Sequence, residues 1–194
     1  GRNHHAIGLA AITEAATGFP GNYGNIPKSA ATIAETLKQN GYNTTALGKW
    51  HLTPYTAYTA AGPFDRWPLG MGFEKFYGFL GGETDQWAPL LVRDNSFVEA
   101  PKRAGYHLTE DLVDEAIARL RDQQQAGTGR PFFTYLALGA NHAPLHAPAE
   151  FITKYRGRFD HGWDAVRAET FARQQELGIV PREARLSARD PLIP

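Results

Sequence analysis

A helix followed by a β-strand occurs twice in this sequence, and this order constrains the fold more than any other feature. The first copy is a predicted helix over residues 33–40 followed by a predicted strand over 42–47. The second is a longer predicted helix over 109–126 followed by the apolar segment 132–138, which is typical of a strand buried within a sheet. Helices that alternate with strands in this way predict an α/β fold with a parallel sheet.

The ends of both helices carry recognisable signals. Thr32 and Glu35 fit a capping box, and Gly41 follows the first helix as a typical termination residue. The second helix is predicted to begin with Thr109 as its N-cap, because acidic residues follow in the first turn. The acidic cluster at 110–115 is interpreted as the solvated face of that helix.

The remaining predicted strands and helices are shorter than the second helix. Residues 49–105 are rich in Gly, Pro and aromatic residues, and within them "KFYGFL" and "LLVRDNSFVE" predict short strands. Asp94 and Asn95 form a plausible hairpin turn in the second of these. Two further helices are predicted at about 148–156 and 162–178.

Composition excludes some partners and classes of site. The chain has 20 Lys and Arg against 20 Asp and Glu, so it lacks the basic excess of a nucleic-acid-binding protein, and no nucleic-acid partner is expected. No apolar run approaches the ~18 residues that a transmembrane helix needs, so no membrane span is expected. The chain has no Cys, which excludes disulfides and thiolate metal sites within these residues. None of this assigns a compartment.

Both ends of the chain are expected to be cut. The first residues, "GRNHH", have no lead-in, and the last, "ARDPLIP", form a Pro-rich segment with no closing element. We therefore expect residues 1–194 to be the central fragment of a longer catalytic domain.

Three polar residues follow predicted strands. "GKWH" places Lys49 and His51 after the first strand, and "NHAPLH" places His142 after the second. Ligands of parallel sheets bind beyond the carboxyl ends of the strands. A fixed cation with two titratable imidazoles suits the binding of a tetrahedral oxyanion ester and the protonation of its leaving oxygen. The ordinary alternatives are a solvated lysine, a structural His51 and a loop-capping His142.

The other histidines receive lesser roles. His4 and His5 are adjacent and point in different directions, so structural or supporting roles are expected for both. His146 lies in a Pro-broken loop, where a turn or rim role is expected. His107 and His161 are interpreted as surface residues. The segment "GFLGGE" is interpreted only as a Gly-rich turn.

Four stretches resemble the type I sulfatase family within the alkaline-phosphatase-like superfamily. They are "GRNHH" at 1–5, "TIAETLKQNGYNTTALGKWHL" at 32–52, "PFFTYLALGANHAPLHAP" at 131–148 and "KYRGRFDHGWDAVRAETFARQQELGIVP" at 154–181. The last resembles bacterial arylsulfatases in particular. The resemblance implies a mixed, mostly parallel sheet flanked by helices, and a sulfuric ester hydrolase that acts on a small-molecule sulfate ester.

The resemblance also implies a role for each candidate residue. Lys49 would contact the sulfate and stabilise charge on the bridging oxygen. His51 would lie beside the nucleophile and assist its regeneration. His142 would contact the sulfate and act as general acid toward the leaving alcohol. Lys49 and His142 are thus the implied substrate-binding residues, and no metal ligand is implied within the chain.

Two further groups are implied outside residues 1–194. One is a formylglycine nucleophile, made from Cys or Ser in a C/S-x-P/A-x-R motif, whose hydrated form attacks sulfur. The other is Ca²⁺, held by acidic residues and an Asn. The 194-residue chain alone is therefore expected to be inactive. Since fold does not fix function, the alternatives are a phosphomonoester or phosphonate hydrolase of the same superfamily, or a non-catalytic homologue.

We expect a C/S-x-P/A-x-R motif in the segment that precedes Gly1 in the parent open reading frame, because "GRNHH" lies at the edge of the resemblance. Sequencing of the flanking DNA checks this expectation. A Thr nucleophile without such a motif would favour the phosphatase alternative.

Overall fold

The computed structural model of this protein describes residues 1–192. It divides into two compact units, residues 1–146 and residues 147 onward. The first unit contains a five-stranded sheet with the strand order β4-β3-β2-β1-β5. The strands are β1 (Asn43–Lys49), β2 (Lys75–Phe79), β3 (Leu91–Arg93), β4 (Ser96–Val98) and β5 (Phe132–Ala137).

Two α-helices and four short 3₁₀ helices complete the first unit. Helix α1 precedes β1 and helix α2 precedes β5, so the helix–strand order predicted from the sequence is confirmed. The α-helices are α1 (Ile33–Gln39) and α2 (Leu108–Gln125), and the 3₁₀ helices are His4–Ile7, Thr13–Ala15, Tyr55–Ala57 and Leu69–Met71.

The centre of the sheet is parallel. Strand β1 pairs in parallel with β2 on one side and with β5 on the other. Strands β3 and β4 extend the sheet beyond β2 as an antiparallel hairpin, whose turn residue Asp94 adopts a φ of 57°. The predicted α/β architecture, a mixed sheet flanked by helices, is confirmed.

Alternate residues of the strands build two hydrophobic cores, one on each face of the sheet. Ala46 and Phe76 contribute to one core, which includes Ala34 of α1. Their neighbours Leu47 and Tyr77 contribute to the other, which is covered by α2. This follows from the period of two along a strand. Both faces of β1 are therefore buried, as expected for a strand in the middle of an α/β sheet.

The helix caps agree with the sequence at α1 and differ at α2. The Thr32 hydroxyl accepts a hydrogen bond from the Glu35 N–H at 3.0 Å, as the capping box predicts. At α2 the N-cap is His107 rather than Thr109, and its Nδ1 accepts from the Thr109 N–H at 3.3 Å. The expectation that His107 is a surface residue is therefore wrong. It is 7% exposed, because the Trp87 ring packs against its imidazole.

The acidic cluster at 110–115 is also only partly solvated. Asp111 accepts a hydrogen bond of 2.6 Å from the hydroxyl of Tyr77, and Glu115 pairs with Arg93 at 2.6 Å. Burial, followed by the hydrogen bond to Asp111, raises the pKa of Tyr77. These two carboxylates join α2 to strands β2 and β3, so the expectation of a simple solvated face is wrong for them.

The segment 132–138 was predicted to be a fully buried strand. The strand is confirmed, but the prediction that it is fully buried is wrong. Strand β5 forms, but Phe132, Tyr135 and Leu136 are 40–50% exposed. The reason is its position: β5 lies at the edge of the described sheet and pairs only with β1 on one side. Apolar content alone does not separate an edge strand from a central one.

The second unit contains the two predicted helices. They are α3 (Ala149–Tyr155) and α4 (Gly162–Glu176). No side chain of α4 is buried, and Trp163 near its start is 86% exposed. Within residues 1–192, no helix has the length and apolar content needed to cross a membrane.

Gly48→Ala is expected to destabilise the protein far more than Gly41→Ala. Both glycines have positive φ, 96° and 86°, so each substitution adds strain of about 1–2 kcal/mol. A Cβ at Gly41 meets nothing within 4 Å, whereas one at Gly48 would lie 1.9 Å from the Ala137 carbonyl oxygen. Forced overpacking costs about 1–3 kcal/mol more. Denaturant unfolding of both variants measures the difference, and equal losses would contradict the close approach of β1 and β5.

Candidate active site

The carboxyl ends of β1, β2 and β5 lie at one edge of the sheet. Lys49 at the end of β1 is level with Phe79 of β2, and Gly48 is level with Ala137 of β5. The loops that follow these three strands therefore begin side by side. This is the edge at which parallel α/β sheets bind ligands, and it carries all three residues predicted from the sequence.

The chain leaves β1 along a defined path. The N–H groups of Trp50 and His51 donate to the carbonyls of Phe79 and Leu80, both at 3.0 Å, so the pairing with β2 continues past the strand. Trp50 is buried, and its indole N–H donates to a backbone carbonyl at 3.1 Å. A buried, anchored Trp between the two polar residues explains why Lys49 and His51 leave the strand at fixed positions.

Lys49 is half-buried at the end of β1. Among the described residues it has no carboxylate within ion-pair distance. A half-buried ammonium without a compensating carboxylate attracts an external anion. This property supports the functional interpretation of Lys49 over a solvated surface lysine.

His51 combines an unusual backbone conformation with a side-chain contact to Glu14. Its φ is 55°, a left-handed value that costs free energy for residues other than Gly and is concentrated at functional sites. Its Nε2 lies 2.9 Å from both carboxylate oxygens of Glu14. Burial acts to raise the pKa of Glu14, but hydrogen bonds from its backbone and from His51 outweigh it and hold that pKa below its usual value.

His142 lies in the loop after β5. Its N–H donates to the Gly139 carbonyl at 3.3 Å, and its Nδ1 lies 2.9 Å from the Ala143 carbonyl. Because a carbonyl only accepts hydrogen bonds, Nδ1 carries the proton and Nε2 remains for other partners. The same Nδ1 lies 3.4 Å from the carboxylate of Glu83. The His142 side chain is 49% exposed, so this ion pair is screened by solvent.

The loop after β2 connects the two histidines. A Cβ at Gly82 would lie 2.8 Å from Cε1 and Nε2 of His51, so the loop backbone packs directly against that imidazole. The next residue, Glu83, pairs with His142. Adjacent residues of one loop therefore contact the two histidines, although these are 91 positions apart in the sequence.

His4 and His5 make local contacts, whereas His146 contacts the loop after β2. His4 Nδ1 lies 2.7 Å from the Leu9 carbonyl, and His5 Nδ1 lies 3.0 Å from the side-chain oxygen of Asn3. His146 Nδ1 accepts from a backbone N–H of the loop after β2 at 3.4 Å, as expected for a residue at the rim.

Sequence reasoning missed Glu14, Gly82 and Glu83. Gly82 and Glu83 belong to "GFLGGE", which is more than the Gly-rich turn expected from the sequence, since its first two residues end β2. The position of Gly82 and Glu83 just after a strand was therefore a usable signal. Glu14 lies in the 3₁₀ helix Thr13–Ala15, and nothing in its sequence context indicates contact with His51. Within residues 1–192, no three His, Asp or Glu side chains are grouped so that they could hold a metal ion.

The chain is similar in sequence to known sulfatases. Residues 1–190 match the sulfatase family profile. An uncharacterised sulfatase of Schizosaccharomyces pombe is 29% identical over 205 residues, covering 93% of this chain and 35% of the relative. An arylsulfatase of Klebsiella aerogenes is 35% identical over 156 residues, covering 77% of this chain and 32% of the relative.

The fold is similar to that of solved structures. The crystal structure of Ps i-CgsB in complex with k-i-k-neocarrahexaose superposes with a TM-score of 0.56 and 27% identity, covering 68% of this chain and 31% of that chain. The present chain spans about a third of the length of the curated relatives described above. A family match over nearly all of its residues establishes that this chain belongs to the sulfatase family.

Proposed function

We propose that the protein of which this chain is part hydrolyses sulfate esters. The observation that carries this proposal is the convergence of Lys49, His51 and His142 at one sheet edge, with Gly82 and Glu83 of a single loop contacting the two histidines. An ammonium and two imidazoles can bind a tetrahedral anion and move protons at the bond that breaks. Membership of the sulfatase family favours a sulfate ester over a phosphate ester.

Each residue is proposed to act at a different part of the ester. Lys49 binds the sulfate and stabilises the negative charge that develops on the bridging oxygen. His142 also contacts the sulfate and delivers a proton from Nε2 to the leaving oxygen. His51 lies beside the nucleophile and assists its regeneration.

The nucleophile and the metal are proposed to come from other parts of the protein. The chain has no Cys, and its described residues do not form a group suited to a metal ion. The formylglycine and Ca²⁺ typical of the family would therefore be provided by residues outside this chain. When bound, Ca²⁺ would stabilise negative charge on the sulfate.

The alcohol part of the substrate has two candidate classes among the similar proteins. One relative is named an arylsulfatase, and one similar structure holds a carbohydrate. We propose an aryl sulfate, because the sequence resembles bacterial arylsulfatases over 154–181 and an arylsulfatase is 35% identical.

Purified full-length protein tests the proposal with matched esters of one phenol. We expect hydrolysis of the aryl sulfate with a higher kcat/KM than that of the aryl phosphate or phosphonate. A preference for the phosphate would establish the phosphatase alternative. If the protein hydrolyses neither ester, it is a non-catalytic homologue.

Lys49→Ala in the full-length protein is expected to lower turnover more than it weakens ground-state binding. A cation aimed at the bridging oxygen acts on charge that grows as the bond breaks, and removal of one such donor costs on the order of 10²–10³ in kcat. Steady-state kinetics on an aryl sulfate measure the effect, with Lys38→Ala on the exposed side of α1 as control. A raised KM with unchanged kcat would show that Lys49 only binds substrate.

His142→Ala is expected to impair poor leaving groups far more than good ones. A general acid contributes ~10²–10⁴ in rate, and this contribution shrinks as the leaving phenol becomes more acidic and needs the proton less. The measurement is kcat/KM for aryl sulfates of increasing phenol pKa, where the variant should show the steeper dependence. His161→Ala, at the start of α4, is the control. Parallel plots would mean that His142 binds the sulfate without protonating the leaving group.

A further inference from the structure

The two contacts of His51 with Glu14 leave a single ring nitrogen available for chemistry. Nε2 lies 2.9 Å from both oxygens of Glu14. A carboxylate can only accept hydrogen bonds, so this pair requires a proton on Nε2. The lowered pKa of Glu14 keeps it a carboxylate through the neutral range. In the neutral imidazole, Nδ1 is then the nitrogen without a proton.

The segment that carries Glu14 is itself fixed. Asn22 accepts a hydrogen bond from the Ala11 N–H and donates to the Ala15 carbonyl, both at 3.2 Å. It therefore holds both flanks of the short helix that contains Glu14. The hydroxyl of Thr13 also donates to the Glu14 carboxylate at 3.1 Å. Glu14 thus approaches His51 from a braced turn, and the carboxylate has two donors that fix its orientation.

Gly82 also fixes the position of His51, because its backbone packs against the imidazole ring. An added Cβ there would lie 2.8 Å from Cε1 and Nε2 and 3.3 Å from Nδ1 of His51, closer than side-chain carbons approach. The ring can occupy its position only if residue 82 has no side chain. Because the loop continues into Glu83, which pairs with His142, any shift of the loop would also reach the second histidine.

We infer that Glu14 and Gly82 are positioning residues for His51, which hold its imidazole with the proton on Nε2 so that Nδ1 faces the reacting group. Glu14 sets the proton position and Gly82 sets the ring position. This inference rests on the proposed function, in which His51 lies beside the nucleophile and assists its regeneration. An unprotonated Nδ1 would be the nitrogen able to accept a proton there, and the adjacent Glu14 carboxylate would balance the charge of the imidazolium that forms, the same logic by which a carboxylate orients the histidine of a catalytic triad.

The position of the proton can be measured without reference to activity. Nitrogen-15 NMR of histidine-labelled full-length protein, at a pH where the ring is neutral, distinguishes the two tautomers. The His51 signals are assigned by their loss in His51→Gln. A proton on Nε2 is the expected result, and a proton on Nδ1 would overturn the inference.

Kinetics of variants test the consequence of the two contacts. Glu14→Ala and Gly82→Ala are expected to lower kcat on the order of 10–100-fold, the range found for outer partners that orient a histidine. In Glu14→Ala, KM should stay near the wild-type value, because Lys49 and His142 bind the sulfate. Gly81→Ala is the matched control, since its added Cβ meets its nearest neighbour at an ordinary 3.5 Å. Glu150→Ala on α3 controls for the loss of an exposed carboxylate.

The outcomes separate the inference from the proposed function. Wild-type kcat in Glu14→Ala, or equal losses in Gly81→Ala and Gly82→Ala, would overturn the positioning roles. Thermal unfolding identifies a variant that fails to fold. In that case the His51 tautomer of the wild-type protein, measured by NMR, decides whether the inference holds. A wild-type protein that hydrolyses no ester would refute the proposed function, while the tautomer would still test the contact between Glu14 and His51.

Discussion

The close approach of three parallel strands at Gly48 is the constraint on which the rest of the site depends. Gly48 is paired with Gly78 of β2 and with Ala137 of β5. A Cβ at Gly48 would lie 1.9 Å from the Ala137 carbonyl oxygen, and a Cβ at Gly78 would lie 2.1 Å from the Gly48 carbonyl oxygen. The absence of side chains here brings the three strand ends together, and the loops with Lys49, His51 and His142 therefore begin next to one another.

The strand ends alone do not set the functional geometry, because the two histidines are held in different ways. His51 has a strained backbone, a carboxylate on Nε2 and a loop backbone packed against its ring. His142 is half-exposed, and its only ion pair among the described residues is a longer, screened one with Glu83. A rigid imidazole would suit the role proposed for His51 beside a fixed nucleophile. A more exposed imidazole would suit the role proposed for His142 toward leaving groups of different shapes.

Local patterns in the sequence were sufficient for the helices and strands of the sheet unit and for the position of the three candidate residues at or after strand ends, while the roles of these residues stay predictions. The capping box at Thr32, the helical spacing in α2 and the placement of Lys49, His51 and His142 after strands each depend on neighbouring residues, which a sequence displays directly. The contact between Glu14 and His51 spans 37 positions and depends on a short turn braced by Asn22. The exposure of β5 depends on which strands lie beside it. Neither feature is encoded in a local pattern. The contact between Glu14 and His51 was therefore missed, and the burial of β5 was predicted wrongly.

The arrangement of charge explains how an anion could approach a site that contains two glutamates. Glu14 contacts His51 and Glu83 contacts His142, so each carboxylate forms a pair of low net charge whenever its imidazole is protonated. Opposite charges that lie this close cancel most of their field at longer distances. Lys49, which has no carboxylate within ion-pair distance among residues 1–192, would then be the charge that a sulfate meets in the proposed function. In that function the carboxylates would act on the histidines rather than on the substrate, so that a site that binds an anion could use acidic residues for proton placement.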